Sequence, residues 1–166
     1  MSQTSTDGAT IAYSESTSTT TIGKHSVSSA KTDITLRQAT ELGDFLVSNK
    51  ENMIRESLAD HLEKLRTKKG IRKSDIIRSS GLDNSYVYQI FRGEKHPARD
   101  TLICLAFGLK LDEEDTQRML KIGGYSELYP RLERDAVILF AIQRGMSLNE
   151  TDKLLFDNGH HTLLES

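Results

Sequence analysis

Gly81 separates two short segments that each carry their own apolar stripe, and only a few residues lie between them. Ile76 and Ile77 mark the inward face of a helix from about Lys73 to Ser80, and Val87 and Ile90 mark that of a second helix, NSYVYQIFRG, closed by Gly93. A helix that must turn into another within three or four residues needs one left-handed backbone position, which costs glycine least. Asp83, just after the turn, is placed to accept the first free N–H groups of the second helix as its N-cap. The chain is thereby committed to a tight helix pair, and whatever surrounds the pair has to bury two narrow apolar faces.

The neighbouring segments read as helices too. Leu58, Leu62 and Leu65 share one face of a 3.6-residue period from Ser57 onward, with Gly70 as the stop. Pro97 precedes ARDTLICLAFGL, in which Leu102, Ile103, Leu105, Ala106 and Leu109 predict a heavily buried helix. Asp112 then caps LDEEDTQRMLKIGG, whose Glu113, Glu114 and Asp115 put negative charge at the positive end of the helix dipole. Further on, Pro130 is suited to open RLERDAVILFAIQRG, with Ala136 to Ile142 apolar all round and expected to be buried. After Gly145, Ser147 and Glu150 have capping-box spacing, and Asn158-Gly159 ends the last helix. These two C-terminal helices either pack on the preceding unit or form a dimer surface.

Ahead of this region, residues 2–35 hold 17 Ser/Thr among 34 residues, including STSTTT. So few apolar groups do not offset the entropy of ordering a backbone, so residues 1–35 are expected to be disordered. The hydroxyls make the tail a candidate for phosphorylation or a plain solubilising extension. A short helical lead-in is expected at 36–56, with apolar residues at 42, 45, 46, 53 and 54.

Charge is not spread evenly. Residues 61–110 hold 11 Lys/Arg and 5 Asp/Glu, net +6, whereas residues 1–60 carry −3 and residues 111–166 carry −5, giving −2 for the chain. A basic block between acidic flanks supplies the local field that a phosphate-binding surface requires, because that field acts within about 10 Å at ordinary salt.

Five short helices with a tight glycine turn between the second and third resemble the lambda-repressor-like, Xre-type helix-turn-helix family. The resemblance rests on LRTKKGI, the Gly81-Leu82 turn, SYVYQIFRG and Pro97 with its following apolar helix, and it covers Leu62 to about Leu120. It implies an all-α fold: a helix-turn-helix domain at 57–123, extended by about two helices at 124–166. It also implies that the third helix enters the major groove of double-stranded DNA, with Asn84, Ser85, Tyr88 and Gln89 facing base edges. Lys73, Ser74, Tyr86, Arg92, Lys95 and Arg99 then contact phosphates. The chain departs from the family at Ile77, where a small alanine is usual, at Ser80, where an apolar residue is usual, and at Phe91, where an acid is common.

No catalytic constellation, glycine-rich phosphate loop or metal-ligand spacing emerges, so neither an enzyme nor a cofactor is expected. Adjacent His160 and His161 with Asp157 are a poor metal set, and Cys104, the sole cysteine, reads as a core thiol. No apolar run reaches the roughly 18 residues of a membrane span and no secretory pattern opens the chain, which leads to the expectation of a soluble cytoplasmic protein. Two functions remain open: a sequence-specific DNA-binding regulator, or a non-catalytic module that binds a protein partner. A homodimer is compatible with either.

Overall fold

The computed structural model describes residues 29–165, and among them every regular element is a helix. Most of the Ser/Thr-rich stretch, residues 1–28, lies outside the described residues. The chain divides into two compact units, Met1–Arg55 and Glu56–Ser166.

The described part of the first unit holds α1 (Ser29–Gln38) and α2 (Leu42–Ser48). Helix α1 begins inside the stretch expected to lack structure, which corrects that expectation for residues 29–35. Its support is local: Arg37 Nε donates to Asp33 Oδ2 at 2.9 Å and the Thr35 hydroxyl to the Lys31 carbonyl at 2.9 Å, both one turn apart. The lead-in expected at 36–56 is helical over 36–38, the end of α1, and over 42–48, after which the chain runs through turns.

The second unit holds seven helices: α3 (Leu58–Lys69), α4 (Lys73–Ser80), α5 (Asn84–Phe91), α6 (Arg99–Gly108), α7 (Glu113–Ile122), α8 (Glu133–Gln143) and α9 (Leu148–Asp157). Ser57, Asp83, Asp112 and Ser147 cap α3, α5, α7 and α9 by accepting the N–H of the residue three positions on, and Ser147 with Glu150 forms a full capping box. Each such cap is worth about 1 kcal/mol.

Helix α6 is the axis of this unit. Leu102, Ile103, Cys104, Leu105, Ala106, Gly108 and the following Leu109 are all buried, which fits a sequence that is apolar on every side. Helices α4, α7 and α9 pack on it. Leu62, Ile76, Val87, Ile90, Met119, Leu120, Ile138 and Leu155 converge with it into one cluster. Burial of Cys104 pushes its thiol pKa up to about 12, so it behaves as a small apolar side chain.

Helices α4 and α6 approach at backbone distance. A Cβ built on Gly108 would stand 2.8 Å from the Ile76 carbonyl oxygen and 3.1 Å from Ser80 Cβ. Ser80 itself is fully buried, its hydroxyl satisfied by the Ile77 carbonyl at 3.3 Å and the Leu82 N–H at 3.4 Å. The small residues at this crossing are therefore Ser80 and Gly108, and Ile77, half-buried, lies to the side.

The amino ends of α6 and α8 are joined by a reciprocal pair of Arg-Asp dipeptides. Arg99 donates both terminal nitrogens to Asp135, at 3.1 and 3.3 Å, and Arg134 donates both of its own to Asp100, at 2.8 and 3.0 Å. Arg99 also reaches the carbonyls of Ser126 and Glu127, while Asp135 accepts the Tyr129 N–H at 2.9 Å. This network sets the start of α8 at Glu133 rather than at Pro130, because Tyr129 to Leu132 are held in a turn under the Asp135 carboxylate. Helix α8 is also less buried than its sequence suggested: Phe140 is exposed, with the Arg144 guanidinium 3.6 Å above its ring.

Two substitutions test this packing. Gly108→Ala should destabilise the unit by about 1 to 3 kcal/mol, since a methyl group there displaces backbone rather than a pliable side chain. Arg99→Ala should cost about 3 kcal/mol, because it strands the buried Asp135 carboxylate. Urea unfolding measures both, and a change under 0.5 kcal/mol in either (roughly that of an ordinary surface substitution) would sink the corresponding claim.

Candidate nucleic-acid interface

Helix α5 has two unlike faces because apolar residues recur on it at helical spacing. Val87, Ile90 and Phe91 are buried, while Asn84, Ser85 and Tyr88 are exposed and Gln89 is half-buried at the edge. Asn84 and Tyr88 stand one turn apart, as do Ser85 and Gln89, so the four lie on one outward strip. Phe91 belongs to the core, and Tyr86 is half-buried against it.

The connection into α5 is held from both sides. Gly81 takes φ +66°, and the Asp83 carboxylate accepts the Tyr86 N–H at 3.1 Å. The far end of the chain also rests here: Leu164 Cδ2 would be 2.9 Å from a Cβ on Gly81. Asp152 in α9 fixes that end by accepting the N–H groups of Leu163 and Leu164 at 2.7 and 3.3 Å. Sequence alone gave no hint of this contact, since Leu163 and Leu164 carry no periodic signal.

The six expected phosphate ligands are not equivalent. Ser74 is exposed in the first turn of α4, a helix whose N-cap residue, Arg72, provides no side-chain acceptor. Lys95 is exposed in the loop after α5. Lys73 is half-buried, its ammonium 3.6 Å from the Glu63 carboxylate and 5.8 and 5.3 Å from the ring centres of Tyr88 and Phe91. Arg92 is exposed and chelated by Glu94, with Nε to Oε1 at 2.7 Å. Arg99 is spent on Asp135 and two carbonyls inside the unit, so the structure removes it from the surface set. Tyr86 is only partly accessible. Arg72, the N-cap of α4, and Arg78, in its last turn, neither of them singled out in the sequence, share the Asp75 carboxylate at 3.0 Å each.

Among the described residues no cluster of three His, Cys, Asp or Glu could hold a metal ion, and no helix is long and apolar enough to cross a membrane. His160 stands 3.8 Å from Glu133. No protein-family model, curated protein or solved structure matches the chain.

The local carboxylates link this surface to pH. Hydrogen bonds from Arg66 hold Glu63 below the usual carboxylate range, those from Arg72 hold Asp75 there, and the Ser147 backbone N–H does the same for Glu150. A carboxylate whose pKa is lower folded than unfolded stabilises fully above the unfolded value, about 4.3, and that contribution disappears as pH falls through the folded one. Thermal melts should therefore lose stability on the acid side of about pH 4, and Glu63→Gln should make that decline shallower. An unchanged acid limb in the variant would show that Glu63 contributes nothing to it.

Proposed function

We propose that the chain is a sequence-specific DNA-binding regulator in which α4 and α5 act as a helix-turn-helix, with α5 in the major groove of double-stranded DNA. The observation that carries the reading is the division of α5. Its apolar side is used in the core, and its other side presents Asn84, Ser85 and Tyr88 exposed and Gln89 half-buried at the edge. Asn and Gln amides match the donor and acceptor pair on adenine in the major groove. Ser74 at the open start of α4, with Arg72, Lys95 and the basic block around them, supplies phosphate contacts that position the helix without reading sequence.

One observation favours a second reading, a non-catalytic module for a protein partner. Arg99 is internal, Arg92 is paired with Glu94 and Lys73 lies beside Glu63, so three of the six expected phosphate ligands are not free cations. Binding selection from random duplex DNA separates the two readings, because a regulator returns a recurring motif and an adaptor returns none.

On the preferred motif, Asn84→Ala and Gln89→Ala should each weaken binding by about 1 to 3 kcal/mol while leaving affinity for unrelated DNA nearly unchanged. With about four phosphates neutralised, the logarithm of the binding constant should fall with the logarithm of salt at a slope of about −3.6. A flat salt response, or equal losses on specific and unrelated DNA, would favour the adaptor.

A further inference from the structure

Seven helices end in the second unit, and six of them are followed by a glycine at positive φ: Gly70, Gly81, Gly93, Gly124, Gly145 and Gly159. The seventh is not. Helix α6 ends in a Schellman motif, with the Lys110 N–H on the Phe107 carbonyl at 3.1 Å and the Leu111 N–H on the Ala106 carbonyl at 3.0 Å. The left-handed residue of that motif is Lys110, at φ +53°, the only non-glycine with positive φ among the described residues. A side chain is kept at a backbone position where glycine would be less strained.

Lys110 borders a cavity of about 600 Å³, within the range of small-molecule sites. The cavity lies between the end of α4, the end of α6 and the α8–α9 connection. Phe107, Ile142, Met146 and Leu148 supply apolar lining, and Arg78 and Lys110 are its two cations. Its single carboxylate, Glu150, is already engaged by the Ser147 N–H at 2.7 Å in the capping box of α9. Arg78 shares Asp75 with Arg72, so that acid neutralises the two guanidinium groups only in part. A lining that is about half apolar and half polar, with an excess of positive charge, suits a ligand that has a hydrocarbon body and one negative end.

We propose that this cavity binds a small amphipathic carboxylate, its apolar body against Phe107, Ile142, Met146 and Leu148 and its charged end between Arg78 and Lys110. The retained side chain at position 110 then has a purpose that glycine could not serve. The site is defined without reference to DNA, so it stands or falls separately from the reading of α5.

Calorimetric titration of the full chain, without DNA, tests the proposal with decanoate and 1-naphthaleneacetate, each below its aggregation limit. At least one should give saturable one-to-one binding, with 1-decanol about tenfold weaker than decanoate where the aliphatic probe binds. The double variant R78Q/K110Q should bind about tenfold more weakly. Ser79→Trp, at an exposed position on the cavity wall, should abolish binding while leaving the melting temperature in place. Lys110→Gly should raise the melting temperature by about 2 to 4 °C and still weaken binding, a combination that a purely structural lysine does not produce. The proposal is overturned if neither probe saturates, if the alcohol binds as well as the acid, or if Ser79→Trp and R78Q/K110Q bind like the parent chain.

Discussion

The arrangement of the second unit depends on how closely α4 can approach α6. With the Ile76 carbonyl oxygen 2.8 Å from where a Gly108 Cβ would sit, the two helices are at contact distance through backbone rather than through side chains. That approach places the carboxyl end of α4, and hence Gly81 and the start of α5, against the buried axis. Val87, Ile90 and Phe91 can then reach the same core as Leu62 and Leu105, which turns Asn84, Ser85 and Tyr88 outward. A larger residue at 108 would lift α4 outward and carry α5 with it, because packed interiors have few spare voids to absorb the shift.

Much of this was legible in the sequence where one residue type has one physical use. Glycine at positive φ, Asp or Ser at an N-cap and the 3.6-residue apolar stripe located α3 to α7 and α9, and the span expected for α4, Lys73 to Ser80, is the observed one. Contacts between elements distant in sequence were not legible. Nothing local to Arg99 distinguishes a phosphate ligand from one arm of a clamp to Asp135, 36 residues away. Pro130 misled for a related reason: the start of α8 is set by what the Asp135 carboxylate holds, not by which residue best tolerates the first turn. Helix α1 escaped notice because its sequence has no apolar stripe, and its i,i+4 contacts are weak signals beside its Ser/Thr content.

The candidate site shows the same limit from the electrostatic side. Periodicity correctly separates the exposed residues of α5 from the buried ones, because burial follows the apolar pattern. Net charge by segment does not report which cations are available, because pairing depends on side-chain geometry. Asp135 and Glu56, both outside residues 61–110, hold Arg99 and Lys64, which the block's count left free. Exposed pairs such as Arg92 with Glu94 are screened by solvent and contribute little, whereas the Arg99–Asp135 pair is buried and fixed. The exposed pairs are thus the ones open to exchange, and the buried ones hold the shape of the unit.

The C-terminal helices join these two halves. Arg78, Ser79 and Gly81 border the cavity and also lead into α5, while Leu164, anchored through Asp152 of α9, lies against Gly81. The turn ahead of the proposed reading helix is thus supported by its own left-handed glycine, by the α4–α6 contact and by the last residues of the chain. A ligand between α4 and the α8–α9 connection changes the orientation of α5 only to the extent that it binds one arrangement of that turn better than another. A tenfold preference is worth about 1.4 kcal/mol, enough to redistribute two arrangements of similar energy but not to break the Gly108 contact. Any coupling from the cavity to the exposed strip of α5 would therefore be graded, set by the packing of Leu164 and the Gly81 turn rather than by a rearrangement of the core.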